Sequence, residues 1–362
     1  MPEVRLSREK TLLVDGPGSI VLREGTATSL GAPIRIGNSL VIAKHRRIAI
    51  ETEMNAVFQI RMGEPCSYRQ VNGSTIPPSW RDAADALRHS RGLAVILGDV
   101  DSGKSTLCTY LANTCLAHGA QTSIIDGDVG QADIGPPTTT SSSTVTKHII
   151  NLQELRPERS YFIGDTSPSS IPDKLVQSIT HLKDKISTGS GITILNTDGW
   201  VREEEAVEHK LQLLDSLRPD LVLALNLDHE LDHILEFQKH PSLRLKASSF
   251  ARTRTRDERK KAREEGYKRF FKNPKHLDLR LNSIKLRMFN SSKQQRLDQA
   301  ATHRGTITGL LDEKGELLSI GRIERIGNGI IGITTSAEET PRTVELGAVI
   351  LSSRFAEIGY EP

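Results

Sequence analysis

Residues Gly98-Asp99-Val100-Asp101-Ser102-Gly103-Lys104-Ser105 fit the pattern GxxxxGK[ST], and no other feature of the chain limits its fold so tightly. The apolar run Leu93–Leu97 precedes this turn and a helix-like stretch, Lys104–His118, follows it. Strand, tight turn, helix is the setting in which such a loop holds phosphate. Glycines let backbone N–H groups approach phosphate oxygens, and the helix N-terminus adds a partial positive charge. Lys104 is the group expected at the β and γ phosphates, and the Ser105 hydroxyl is the expected Mg²⁺ ligand. Gly98, Asp99, Val100, Asp101, Ser102, Gly103, Lys104, Ser105 and Thr106 form the expected ATP-binding segment. A chance match arises in roughly one chain of this length in a hundred, and the strand and helix context lowers that further.

The loop predicts an α/β fold whose core is a P-loop NTPase parallel sheet. Five strands are expected around it: Leu93–Leu97, Thr122–Asp126, Tyr161–Asp165, Ile192–Asn196 and Leu221–Asn226, with helices such as Val207–Leu217 between them. Four of these end in Asp or Asn (Asp126, Asp165, Asn196, Asn226), at the edge where open α/β sheets bind ligands. On either side the pattern changes to short apolar runs split by Gly and Pro. Thr11–Val14, Ser19–Leu22, Leu40–Ile42 and Ala56–Ile60 predict a small N-terminal β-domain, and Thr306–Leu311 with Leu317–Ile320 predict a hairpin in a second, C-terminal one. The expected limits are residues 1–78, 79–278 and 279–362, with Pro77-Pro78 as linker. The Ser/Thr run Thr138–Thr144 reads as an exposed loop.

Composition excludes several classes. Charged residues are 26% and hydrophobic residues 36%, which argues against long disorder. Aromatics are 4%, too few for a repeated base-stacking platform. No apolar run approaches the ~18 residues of a membrane span, and Met1-Pro2-Glu3-Val4-Arg5 lacks the pattern of a secretion signal. Cys66, Cys108 and Cys115, odd in number and without close spacing, read as reduced thiols of a cytosol-like compartment, cytoplasmic or, in a eukaryote, nuclear. The net charge of +3 is uneven: residues 252–272 hold ten Lys/Arg against four Asp/Glu, a local +6, so the remainder sums to −3. An anionic partner is to be sought at that segment.

Three further stretches carry chemistry. Asp126-Gly127-Asp128-Val129-Gly130-Gln131 closes the second expected strand; a carboxylate there can serve the metal shell or take a proton from an attacking hydroxyl. Asn196-Thr197-Asp198-Gly199-Trp200-Val201 follows the fourth, where Trp200 either stacks on a base or packs beneath a loop. Thr255-Arg256-Asp257-Glu258 fits a capping box, starting a helix on which Arg256, Arg259 and Arg263 share one face, with Arg252 and Arg254 just before it. Such a helix is either a solvated, salt-bridged surface or an arginine lid over phosphates. The fifth strand ends in Asn226-Leu227-Asp228-His229, without the Asn-Lys-x-Asp that reads guanine, which disfavours a GTPase.

Taken together these motifs resemble the polynucleotide 5′-hydroxyl kinases, a family that includes the RNA kinase of the eukaryotic pre-mRNA cleavage factor and tRNA splicing, the ribosomal-RNA-processing kinase and compact archaeal RNA kinases. The likeness covers nearly the whole chain and fits the archaeal type best. It rests on Asp101-Ser102-Gly103-Lys104-Ser105, Asp128-Val129-Gly130-Gln131, Gly164-Asp165-Thr166-Ser167-Pro168, the "clasp" Asn196–Val201, and a lid from Arg254 to Phe271 with arginines five residues apart and an aromatic pair at its end. Leu22–Ala32 is similar to the family's Gly-rich N-terminal strand. Departures are Gly135-Pro136-Pro137-Thr138 for Pro-Gly-Thr, Phe270-Phe271 for Tyr-Phe, and Asp165 where His is common.

The resemblance implies ATP with Mg²⁺, or another divalent cation in its place, and RNA 5′-OH ends as acceptor, with DNA left open. It makes Asp128 the general base, Lys104, Arg254 and Arg259 the other catalytic groups, and Trp200, Gln131 and Arg263 the substrate contacts. Thr166 is implied at the metal shell and Glu9 at adenine. Two other readings stand beside the kinase: an ATP-bound scaffold subunit of an RNA-processing complex, and a P-loop ATPase with water as acceptor. Protein partners and membrane attachment have no signal in the sequence.

Overall fold

A computed structural model describes residues 2–88, 90–186, 191–226, 228–287 and 304–360. Part of the expected C-terminal block (288–303) and Leu227 lie outside the described residues. The chain opens with nine strands: β1 (Glu3–Leu6), β2 (Lys10–Asp15), β3 (Gly18–Glu24), β4 (Ala27–Ser29), β5 (Ala32–Ile34), β6 (Ser39–Ile42), β7 (Arg47–Glu51), β8 (Ala56–Met62) and β9 (Ser67–Asn72). They form two sheets, ordered β1-β8-β3-β6 and β5-β4-β7-β2-β9. Burial alternates along β7 and β8, so one face of each strand turns inward, and Leu12, Ile20, Ile50, Phe58 and Ile60 close the core between the sheets.

Pro78 opens α1 (Pro78–Arg88) rather than serving as linker. Its missing N–H would have no partner in the first helical turn anyway. Next come β10 (Gly92–Gly98), α2 (Lys104–Ala117), β11 (Thr122–Asp126), β12 (Thr139–Val145) and β13 (Arg159–Phe162), then α3 (Pro172–Lys185) and β14 (Ile192–Asn196). α4 (Glu204–Leu217), β15 (Leu221–Asn226), α5 (Asp232–Phe237) and β16 (Ser242–Lys246) complete a seven-stranded sheet ordered β13-β12-β11-β14-β10-β15-β16. β11, β14, β10, β15 and β16 run parallel. β10 and β14 are buried on both faces, as strands covered by helices must be. α1 and α2 seal one face and α3 and α4 the other.

Two expectations fail here. The sheet is mixed, because β12 pairs antiparallel with both β11 and β13. And β12 is the Ser/Thr run expected as an exposed loop: it is almost wholly buried. Several of its hydroxyls find partners inside, Thr139 donating to the Pro136 carbonyl (2.7 Å) and Ser141 hydrogen-bonded to Ser160 (2.7 Å), while Thr140 Oγ1 is buried without one. The β preference of threonine, with ladder bonds on both sides, outweighs its polarity. The expected strand Tyr161–Asp165 is shorter, because the N–H groups of Ile163 and Gly164 both turn to the Thr138 carbonyl.

α6 (Arg256–Phe270) begins at the expected capping box, formed in both directions between Thr255 and Glu258. β17 (Lys275–Arg280), β18 (Lys285–Arg287), β19 (Thr306–Leu311), β20 (Leu317–Gly327), β21 (Ile330–Thr335), β22 (Thr343–Leu351) and β23 (Glu357–Tyr360) build a last sheet, in which β19 and β20 form the expected hairpin. β17 pairs with β21, so a boundary after residue 278 cuts a strand of this sheet. α6 is bolted to the same sheet: Arg263 makes two 2.6 Å bonds to Glu357, Tyr267 is fully buried, and Phe271 stacks on Phe355 at 4.1 Å. The Glu357 carboxylate is 2% exposed, so Glu357→Gln leaves the guanidinium facing a neutral amide. Urea denaturation is expected to show a loss of about 3 kcal/mol; a loss below about 1 kcal/mol, the range of exposed pairs, would show that the bolt carries no load.

Candidate active site

A cleft of about 690 Å³ lies beyond the carboxyl ends of β10 and β14. That is the size of a nucleotide-binding pocket, at the point where the chain leaves β10, passes β14 and enters β11. Its walls include the N-terminal sandwich (Leu13, Val41, Ile42), the phosphate loop, the turn after β11 that carries Asp128 and Gln131, the Asp198–Arg202 turn, and the arginine segment before and within α6. Lys104 opens α2, and its ammonium donates to the carbonyls of Gly98 (2.9 Å) and Asp99 (2.8 Å). Burial lowers its pKa, while the charges of Asp128 and Asp198 oppose that shift.

Asp128 sits two residues past β11. One of its oxygens accepts the N–H groups of Gly130 (3.2 Å) and Gln131 (2.9 Å), fixing the side chain in a tight turn. Burial pushes the carboxyl up to about 6; Lys104 pulls it back and Asp198 raises it further. Asp126, at the end of β11, accepts the N–H groups of Asp133 and Ile134 and the amide of Asn196 (3.1 Å). The same Asn196 nitrogen stands 3.4 Å from the Ser105 hydroxyl, and its Oδ1 is buried with no partner. Burial and the charge of Asp133 raise the Asp126 pKa. Asp133 goes the other way, because an ion pair with Arg46 of the N-terminal sandwich overcomes its burial.

The turn after β14 is held from below. Asp198 accepts the Trp200 N–H (2.9 Å) with one oxygen and the fully buried Lys210 of α4 (2.6 Å) with the other. The Trp200 ring leans on His209, with centroids 5.7 Å apart. Burial drives His209 down to about 4, with Lys210 adding to the shift, so it stays neutral under the indole. Only glycine fits at 199: a Cβ there would come within 2.6 Å of the Val100 nitrogen. Arg202 ties this turn to the phosphate loop through Asp99 (2.7 Å).

The arginine segment closes the opposite side. Arg254 binds the Asp101 carboxylate through its backbone N–H (2.9 Å) and Nε (2.8 Å), and Arg259 reaches the same carboxylate at 3.1 Å. Arg47 holds the Phe250 carbonyl (3.0 Å) and the His45 ring nitrogen stands 3.4 Å from Glu258, so the segment also touches the N-terminal sandwich, while Glu258 takes Arg252 (2.6 Å) within the segment itself.

Gly98–Thr106, Asp128, Gln131, Trp200, Arg254, Arg259 and Arg263 were expected in one site, and all but Gly98 and Ser102 line the cleft. Gly98 and Ser102 shape the loop from beneath. Arg263 lines it too, but its guanidinium is committed to Glu357 rather than open to substrate. Arg256 is exposed and does not share the inward role of Arg259. Thr166 lies at the cleft, bonded to Tyr360 (3.1 Å). Glu9 does not: it is an exposed turn residue whose carbonyl accepts Gly73. Sequence reasoning missed Asp198, Lys210 and Arg46 as site residues. Asp198 stood inside a motif already singled out; Lys210 and Arg46 carried no local signal, because Lys210 meets Asp198 only across a turn and part of a helix (12 residues apart) and the partner of Arg46 is 87 residues away.

A phosphate cradle at the carboxyl edge of a mostly parallel sheet, faced by arginines, puts the chain in the class of P-loop nucleotide-binding proteins. The family model of the mRNA cleavage and polyadenylation factor CLP1 P-loop matches residues 98–273. The chain is 36% identical over 190 residues to the polyribonucleotide 5′-hydroxyl-kinase of Pyrococcus horikoshii, a match spanning 52% of each chain. It is 32% identical over 256 residues to that of Pyrococcus abyssi, spanning 70% of each. A chain from the structure of the wild-type Clp1p–Pcf11p complex superposes with a TM-score of 0.73 at 11% identity, covering 96% of this chain and 97% of that one, a likeness of fold. The chain belongs to the family of polyribonucleotide 5′-hydroxyl-kinases. Among the described residues no helix is long and apolar enough to cross a membrane.

Proposed function

We propose that the protein transfers the γ-phosphoryl group of ATP to the 5′-hydroxyl of RNA. The observation that carries this reading is the placement of Asp128, a carboxyl pushed up to about 6, in one cleft with Lys104, Arg254 and Arg259. An ATPase could use the same proton acceptor on a water, but it has no need of a tryptophan-tipped turn beside it to hold a nucleotide end. In the reaction the 5′ oxygen forms a bond to the γ-phosphorus, the bond from that phosphorus to the β,γ-bridging oxygen breaks, ADP leaves, and Asp128 takes the hydroxyl proton. Lys104 and the two arginines stabilise the charge spread over the transferring group. Trp200 and Gln131 hold the terminal nucleotide, and the apolar wall of the sandwich takes the adenine.

The residues present fit a divalent cation. The Ser105 hydroxyl and the Asp126 carboxylate both lie against the Asn196 amide nitrogen, and the Oδ1 of that same amide is buried without a partner, so oxygen donors of the kind Mg²⁺ takes together with its waters gather at this turn. Bound there, the ion would neutralise triphosphate charge. Arg263 acts as the bolt of α6 in this reading, not as a substrate contact. We also place the domain limits at residues 2–77, 78–274 and 275–360.

The test is 5′-end labelling with matched RNA and DNA oligonucleotides and γ-labelled ATP. Label on 5′-OH RNA, and none on 5′-phosphorylated RNA, is the expected result. Stable ATP binding without label would favour the scaffold, and ATP hydrolysis independent of RNA would favour an ATPase.

A further inference from the structure

The phosphate loop carries an acidic residue whose side chain does not need a nucleotide to explain it. Asp101 adopts a left-handed backbone (φ 60°), unusual outside glycine but tolerated by Asp and Asn. Its carboxylate is 4% exposed, so it is a desolvated charge within the cradle that must hold a triphosphate. A bare carboxylate there would repel the ligand. Both of its oxygens are instead occupied by arginines: Oδ1 by Arg254 Nε (2.8 Å) and Nη2 (2.7 Å), Oδ2 by the Arg254 backbone N–H (2.9 Å) and Arg259 Nη1 (3.1 Å). Arg259 Nη1 also donates to the Arg254 carbonyl (2.6 Å), which locks the two arginines to each other. Among the described residues, Arg254 Nη1 and Arg259 Nη2 have no protein partner, and both side chains line the cleft.

We propose that Asp101 is a positioning residue for the arginine segment: it anchors Arg254 and Arg259 to the phosphate loop, leaves their remaining donors for the transferring phosphoryl group, and makes no contact with ATP itself. An arginine at the end of a mobile segment must lose rotamer freedom each time it meets the transition state. One already fixed by a buried carboxylate has lost it in advance, which is how a well-positioned group lowers a barrier. Arginine suits the task because its planar fork can hold the carboxylate with one edge and offer the other. The inference rests on the kinase reading above for its chemistry, but the anchor itself rests on contacts alone.

The test uses Asp101→Gly, which takes the positive φ without strain, and Asp101→Asn, which tolerates it and keeps one acceptor. Wild-type protein is first shown to label 5′-OH RNA; its failure would remove the kinase reading and leave the anchor to be judged by proteolysis. Asp101→Gly is expected to lower kcat by about 10–100-fold, with KM for ATP within about three-fold of wild type, and Asp101→Asn to recover part of the loss. In an Arg254→Ala/Arg259→Ala background, Asp101→Gly should cost less than about three-fold more, since the groups it positions are gone. Limited trypsin digestion should cleave after Arg254 at least about five-fold faster in Asp101→Gly than in wild type, as an unanchored segment opens locally. An unchanged or raised kcat, an additive loss in the arginine-free background, or unchanged protection at Arg254 would overturn the proposal.

Discussion

Asp128→Asn is expected to lower kcat on 5′-OH RNA by about 10²–10⁴-fold, the range for losing a positioned proton acceptor. The amide matches the carboxylate in shape and can still accept the Gly130 and Gln131 N–H groups that fix the turn, so the site stays assembled. ATP binding should therefore survive. The wild-type pH profile checks the same assignment independently. Burial raises the Asp128 carboxyl to about 6, so it is protonated, and useless as a base, below that pH. The sign follows: kcat/KM for RNA should rise about ten-fold per pH unit up to about pH 6 and then level off. The raised pKa also makes the ionised group a stronger base than a free carboxylate. A flat profile between pH 5 and 7, or a fully active asparagine variant, would remove Asp128 from the mechanism.

Arg254→Ala combined with Arg259→Ala should lower kcat by about 10³-fold or more, the scale set by arginines that neutralise a transferring phosphoryl group. KM for ATP should change far less, because the backbone N–H groups of the cradle still hold the ground-state triphosphate. Lysine at both positions should not restore the rate. A lysine ammonium is a single point of charge and cannot hold Asp101 with one edge while offering another. The outcome that would sink this expectation is a pure KM effect, which would make the two residues general phosphate attractors.

The contrast between α6 and β12 shows how much of the molecule could be read from the chain. The start of α6 was legible because a capping box is local: Thr255 and Glu258 satisfy each other's backbone within four residues. The same holds for the phosphate loop, where strand, glycines and helix start lie within one short run. β12 was illegible for the opposite reason. Its Ser/Thr residues match a solvated loop in composition, and only partners on either side, Ser160 among them, make them interior. Arg263 shows the limit for the site. Its position on the inward face of α6 was readable, but its occupation by Glu357 comes from a strand 94 residues away. Lys210 beneath Asp198 was hidden in the same way, since a buried lysine leaves no mark on the sequence around it.

The sequence by itself determined the phosphate-binding turn, the carboxylate two residues past a neighbouring strand and the arginine-bearing helix, because each is built from residues adjacent along the chain and governed by backbone geometry. Only the tertiary structure decided which charges face the nucleotide and which are neutralised within the protein. Asp101 and Arg263 are both charged residues in cleft motifs, yet each is taken up by a partner brought in from a distant segment. Ion pairing of buried groups depends on distances of a few ångströms in space, and those distances exist only once the domains have packed.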